Sequence, residues 1–237
     1  MMNLNETVAR VREQIVQAAL CAGRDPAEIV LVAATKTQSS DTIRAAIAAG
    51  VTVCGENRVQ ELIAHWEDGA YEGAELHFIG HLQTNKVKYI VGKAALIHSV
   101  SSEKLLRAID AQADKLGIVQ DILLEINLAG EASKSGFAPE EALDAAALAC
   151  ELSHVRLCGL MCIPPAAAGT GANLPFFQKL RQLAVDIEHK MVDNKINMGI
   201  LSMGMSGDFT DAIAEGATHV RVGTALFGPR PPVSALP

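Results

Sequence analysis

Lys36 ends an apolar run, IVLVAATKT at positions 29–37. An ammonium at the rim of a core is costly unless it has a partner or a covalent task. The covalent task open to a desolvated amine is a Schiff base with a carbonyl compound. A plainer role uses the same position: a stem that covers apolar surface while the charged head reaches water. Far downstream, SMGMSGDF at 202–209 and RVGTALFG at 221–228 gather small and hydroxyl-bearing residues. Gly204 and Gly207 let a backbone approach a ligand closely. Ser206 reads as a helix N-cap whose hydroxyl and following amides face an anion. Gly223 and Thr224 add a second set of donors, and Arg221, two residues earlier, faces the same side of a strand. Asp208 in the same loop would repel a phosphate dianion, so it must bond elsewhere.

A phosphate site opposite a strand-end lysine allows two chemistries. One is pyridoxal phosphate held by Lys36, and the other is a phosphosugar aldolase or isomerase that works through Lys36. If the ligand is pyridoxal phosphate, Arg221 can meet its ring nitrogen. An arginine does not release its proton, so the pyridine stays neutral and is a weak electron sink. That suits simple proton shuffling at most and disfavours transamination.

These residues need a scaffold that collects strand ends. Residues 5–21 have helical spacing, with Asn5 or Thr7 as cap. Strands are expected at 29–35, 51–54, 76–79, 95–100, 121–127, 156–163, 195–203 and 218–227. Helices are expected at 41–49, 59–66, 85–91, 103–115, 140–152 and 174–191, with a short one ending at 215. Runs such as ILLEIN and LCGLMCI are apolar throughout, as in parallel strands covered on both faces. Eight strand–helix units in 237 residues predict an α/β fold, a single (β/α)8 TIM barrel with an extra N-terminal helix. The barrel is expected over residues 1–228, with 229–237 a flexible C-terminal tail. An open doubly wound sheet is the alternative, but its glycine-rich first turn is missing from TKTQSSD. Barrel sites form at the C-terminal strand ends. Those ends collect Lys36, Glu56 with Asn57, His81 with Gln83 and Asn85, Ser101, Asn127, Ser202 with Ser206, and Arg221 with Thr224. The two glycine-bearing stretches fall after strands seven and eight, where this fold binds phosphate.

Composition bounds the rest. The chain is 49% hydrophobic, 20% charged and only 4% aromatic, so aliphatics and alanine build its core. A net charge of −7 argues against nucleic acid or an anionic membrane as partner. Five scattered cysteines suit free thiols in a reducing cytosol, and Cys158 and Cys162 are too far apart for a CxxC knuckle. His77 and His81 flank a strand end rather than a helix face, so no metal site is expected. His65, His98, His154 and His189 read as structural or surface residues, and His219 starts strand eight at the end away from the site. No signal peptide or membrane span is visible, so the expected compartment is cytoplasmic.

Seven stretches in order along the chain resemble the pyridoxal-phosphate homeostasis protein family, itself similar to the barrel domain of alanine racemases. They are VAATKT at 32–37, GENRVQE at 55–61, HFIGHLQTNK at 77–86, SKSGF at 133–137, GLMCIPP at 159–165, SMGMSGDF at 202–209 and HVRVGTALFG at 219–228. The resemblance implies pyridoxal 5'-phosphate (PLP) in an aldimine with Lys36 and a phosphate cup from Ser206, Gly223 and Thr224. It also implies Arg221 at the pyridine nitrogen, with Asn57 and His81 lining the pocket. Arg58 stands where a tyrosine is usual and Thr35 where a serine is usual; neither departure removes a cofactor contact.

The implied role is to hold, buffer or deliver PLP with little or no catalysis, with PLP-dependent apo-enzymes as candidate recipients. An amino-acid racemase is the alternative. Racemases carry a further β-domain that supplies a tyrosine as second base. This sequence runs only a short way past strand eight, and Tyr71 and Tyr89 fall on helical or helix–loop segments. No catalytic residue is therefore expected, and closure is left to the loops 164–173 and 129–136. Barrel racemases dimerise largely through the further domain, so a monomer is expected. Lys134 in SKSG is a possible second amine near the site, or a solvated loop lysine.

Overall fold

In the computed structural model, residues 3–131, 134–166, 169–191, 196 and 198–229 are described. The chain enters through α1 (Leu4–Cys21), capped by the Asn3 side chain, which accepts from the Asn5 amide. The sequence expectation placed this cap at Asn5 or Thr7, both of which lie inside the helix. Val8, Val11, Ile15 and Ala19 form its buried stripe.

Eight parallel strands then pair in chain order and close on themselves. They are β1 (Val30–Ala34), β2 (Val53–Glu56), β3 (Glu75–Phe78), β4 (Leu96–Val100), β5 (Gln120–Glu125), β6 (Val155–Met161), β7 (Ile200–Met205) and β8 (His219–Val222). The outer ring holds α2 (Ser40–Ala48), α3 (Val59–Glu67), α4 (Glu103–Leu116), α5 (Ala142–Glu151), α6 (Leu174–Lys190) and α7 (Phe209–Ala214). This is the expected (β/α)8 barrel with its additional first helix. No helix among the described residues is long and apolar enough to cross a membrane. The five cysteines are free thiols, and no group of metal-ligating side chains occurs among the described residues. Of the expected tail, residues 230–237 lie outside the described residues.

Each strand has two buried faces, which is why its sequence shows no alternation. On β1, Val32 and Ala34 join Val53 and Ile79 in one cluster, while Leu31 and Ala33 belong to the large core under the helices. Leu96, Leu123, Cys158 and Met161 form another small cluster. β6 and β7 approach closely at Gly159, with φ +150; a Cβ there would lie 1.9 Å from the Ile200 carbonyl oxygen.

Strand β7 begins at Ile200 rather than 195 and β5 ends at Glu125 rather than 127, and two further elements differ in kind. The segment after β3 is a 3-10 helix, Thr84–Tyr89, rather than an α-helix. Val87 within it and Ile90 at its C-cap are both buried and three residues apart, the repeat that a three-residue turn aligns. Strand β8 stops at Val222 rather than running to 227; the chain turns at Gly223 into a four-residue helix, α8 (Thr224–Phe227). The apolar letters ALF serve a strand or a helix equally well, so periodicity cannot place that break.

Candidate functional site

A cavity of about 460 Å³ opens at the C-terminal ends of the strands. Lys36, Asn57, His81, Ser206, Arg221, Gly223 and Thr224, all singled out from the sequence, line it together. Lys36 stands in the turn two residues past β1. The next residue, Thr37, has a left-handed backbone with φ +64, and its amide donates to Glu61 Oε2 at 3.0 Å. Asn57 follows β2, and its Oδ1 is buried without a hydrogen-bond partner. Gly80, past β3, presses on the same loop; a Cβ at Gly80 would lie 2.1 Å from the Asn57 carbonyl oxygen. His81 sits at the exposed rim.

Ser206 does not cap α7, as its sequence position suggests. The N-cap position of α7 is Asp208, and it makes no side-chain capping bond. Instead Ser206 Oγ accepts from the Gly223 amide at 3.1 Å and the Ala225 amide at 3.3 Å, at the start of α8. With two donors on its oxygen, the hydroxyl has its single proton left to give to the cavity. Asp208 points away, as expected: it accepts from the Met205 amide at 2.7 Å and from Asn173 Nδ2 at 2.6 Å.

Arg221 forms part of the cavity floor and is 5% exposed. Its Nη1 donates to Ser202 Oγ at 2.6 Å and its Nη2 to the Cys162 carbonyl at 2.9 Å. Burial pulls its pKa down, opposed by the negative potential of Cys162, Glu125 and Asp208.

Glu125 and Ser99 also line the cavity and escaped the sequence expectation. Glu125 is 7% exposed, and neither its Oε2 nor Ser99 Oγ has a hydrogen-bond partner. Burial pushes the Glu125 carboxyl up, and the Arg221 charge opposes that. The available signal was the lone carboxylate in ILLEIN. Asn127, the residue chosen for that strand end, instead ties its own loop by donating to the Glu131 and Lys134 carbonyls at 3.0 and 3.3 Å.

Other strand-end candidates lie elsewhere. Glu56 is wholly buried behind the barrel wall, accepting from Thr35 Oγ1 at 2.7 Å and Tyr71 Oη at 3.0 Å. Gln83, Asn85 and Ser101 are not on the cavity wall, and Ser202 lies beneath Arg221. Lys134 pairs with Glu131 at 2.9 Å and lines a separate surface cleft. Tyr89 lies on the 3-10 helix, with Lys86 and Lys88 against its ring.

Comparison with known proteins gives a consistent pattern. Residues 8–231 match the family described as alanine racemase, N-terminal domain. The chain is 44% identical over 229 residues to the pyridoxal phosphate homeostasis protein of Aquifex aeolicus, covering 97% of this chain and 99% of that protein. The protein of the same description from Pseudomonas aeruginosa is 40% identical over 230 residues, 97% of each chain. The structure of PipY from Synechococcus elongatus with PLP bound superposes with a TM-score of 0.84 at 33% identity, covering 95% of this chain and 100% of that one. An alanine racemase of Clostridium difficile, 16% identical with a TM-score of 0.72, shares the fold, and this chain spans 58% of its length.

Proposed function

The chain belongs to the pyridoxal phosphate homeostasis proteins of the alanine racemase N-terminal domain family, and from that premise we propose that it binds PLP in the strand-end cavity and serves intracellular PLP homeostasis. The observation that carries this reading is the convergence of Lys36, Ser206, Thr224 and Arg221 on one cavity. The residues fit the group at three points. Ser206 and Thr224 bring hydroxyl donors suited to a phosphate, and at Gly207 the backbone is open, since a Cβ there would meet nothing within 4 Å. Lys36 supplies the amine for a covalent Schiff-base link, with water as the leaving molecule. Arg221 supplies a donor for the ring nitrogen. When bound, the cofactor supplies an electrophilic carbon and an electron sink.

Arg221 keeps that sink weak, because its guanidinium donates a hydrogen bond without surrendering a proton. Tyr71 is occupied by Glu56 behind β2, and Tyr89 is outside the cavity. Both features support holding and release over turnover. We assign the protein a role as a monomeric carrier that buffers PLP or passes it to PLP-dependent apo-enzymes. Deuterium exchange at the α-carbon of alanine is expected to be negligible.

The test is a visible spectrum of the PLP-loaded protein before and after borohydride, followed by peptide mass mapping. A yellow protein bleached by borohydride, with the reduced cofactor on the Lys36 peptide, is the expected result; cofactor mass on Lys134 or any other lysine instead would sink the assignment. Ser206→Ala tests the phosphate cup separately. Losing a hydroxyl bonded to a charged group costs about 1.5–3 kcal/mol, roughly ten- to hundredfold in affinity. That loss is expected for PLP and not for pyridoxal, which lacks the phosphate; equal losses for both would contradict it.

A further inference from the structure

A row of polar side chains runs through the barrel beneath the cavity. His98 on β4 and Ser202 on β7 belong to strands that are not neighbours in the sheet. Their 2.8 Å contact, from His98 Nδ1 to Ser202 Oγ, therefore crosses the barrel interior. On one side Ser202 Oγ meets Arg221 Nη1 at 2.6 Å. On the other, His98 Nε2 lies 3.0 Å from His77 Nδ1, and His77 Nε2 lies 3.5 Å from Glu75 Oε2. The row starts at Arg221 in the cavity and ends at a second cleft at the opposite mouth, which Glu75 and His77 line. His219 stacks on His77 with ring centres 5.8 Å apart.

Donors and acceptors along this row have one consistent assignment. Arginine only donates, so Ser202 Oγ accepts from Arg221. Ser202 is completely buried and makes no other side-chain hydrogen bond among the described residues. Its one proton must go to His98 Nδ1, because the reverse arrangement would strand a buried hydroxyl proton without an acceptor. His98 is wholly buried, and burial together with His77, His219 and Arg221 holds its pKa well below the usual histidine range. Neutral His98 with an acceptor at Nδ1 carries its proton on Nε2 and donates to His77 Nδ1. His77 is neutral as well, with burial pulling its pKa to about 4, so its own Nε2–H faces Glu75. Every link points the same way, and each group that accepts a hydrogen bond becomes a better donor to the next.

We propose that Ser202 and His98 are positioning residues for Arg221, forming with His77 a one-way hydrogen-bond relay that aims the guanidinium at the cofactor's ring nitrogen. The aiming rests on the PLP reading above; the direction of the relay does not. The guanidinium is held by two neutral oxygens, those of Ser202 and Cys162, rather than by a carboxylate. A carboxylate would engage it bidentately and take its donors. Two neutral acceptors on one side fix its plane and leave its remaining N–H groups for the cavity.

Two measurements test this. Nitrogen-15 NMR of the imidazoles in the protein without cofactor, between pH 6 and 8, is expected to find His98 and His77 as neutral Nε2–H tautomers. A protonated Nδ1 on His98 would overturn the relay whatever the protein binds. The second measurement compares His98→Gln with His98→Leu by PLP titration. Glutamine accepts through Oε1 and donates through Nε2; leucine does neither. The apparent Kd is expected to stay within about threefold for the glutamine variant and to rise about tenfold or more for the leucine variant, with a changed bound-cofactor spectrum. Equal affinity and spectra for both would mean that His98 only fills space. Should the leucine variant fail to fold, Ser202→Ala against Ser202→Thr gives the same contrast between a missing and a retained hydroxyl.

Discussion

Lys36→Ala is expected to remove the covalent hold on PLP completely while leaving the barrel folded. The side chain lies past the end of β1, at the cavity rather than in the packed core, so its loss leaves no core void. Ser206, Thr224 and Arg221, proposed above to hold the phosphate and the ring, all remain on the cavity wall. The variant should therefore still bind PLP, but as a reversible, colourless-to-pale complex that borohydride does not fix. A loss of two orders of magnitude in apparent affinity, about 3 kcal/mol, is the expected scale. Equilibrium dialysis against PLP, together with the 400–450 nm absorbance, checks it. Undiminished yellow colour would place the imine on a different amine.

The second large effect is expected at a cavity-wall residue that has no side chain to offer a ligand. Gly80→Ala puts a methyl group 2.1 Å from the carbonyl oxygen and 2.4 Å from the Cα of Asn57. Both are backbone atoms, so the clash cannot be relieved by a rotamer change, and the loops after β2 and β3 must separate. Overpacking of this kind costs about 3 kcal/mol. Asn57 moves with its loop, so PLP affinity should fall along with stability. Gly207→Ala is the control, because a Cβ there meets nothing within 4 Å. Urea denaturation of both variants is the measurement. Equal midpoints for the two would show that the loops yield without cost.

The two results probe what the sequence does and does not disclose. Lys36 was legible because a charge at the end of IVLVAATKT is conspicuous, and the loops at 202–209 and 221–228 because their glycines and hydroxyls sit where a barrel gathers phosphate donors. The barrel itself was legible from eight apolar runs at a regular spacing. What was not legible depends on which way a side chain turns. Strand β5 ends at Glu125 rather than running to 127, so Glu125 is its last residue and lines the cavity, while Asn127 already belongs to the loop that it ties. His98 read as an ordinary structural residue, since the contact that gives it meaning lies 104 positions away. Ser206 was recognised as a cap, but the amides it caps belong to α8, in a stretch that reads equally well as the last strand. Gly80 carries no sequence signal of its own, because its constraint comes from the Asn57 backbone, which only folding brings near.

Thr37 sets a conflict for anyone who would improve this protein. A β-branched residue at φ +64 is costly by roughly 1–2 kcal/mol. Its amide is held by Glu61 on α3, and the same carboxylate engages Arg58 at 3.0 Å. A search for thermal robustness would select glycine or asparagine here and gain stability at once. The residue relieved is the immediate neighbour of Lys36, and the relief would loosen the backbone that points the amine into the cavity. On the proposed role of Lys36, heat resistance and cofactor retention pull in opposite directions at this one position. A directed-evolution experiment that rewards melting temperature alone should drift toward a tougher barrel with a less well-aimed lysine.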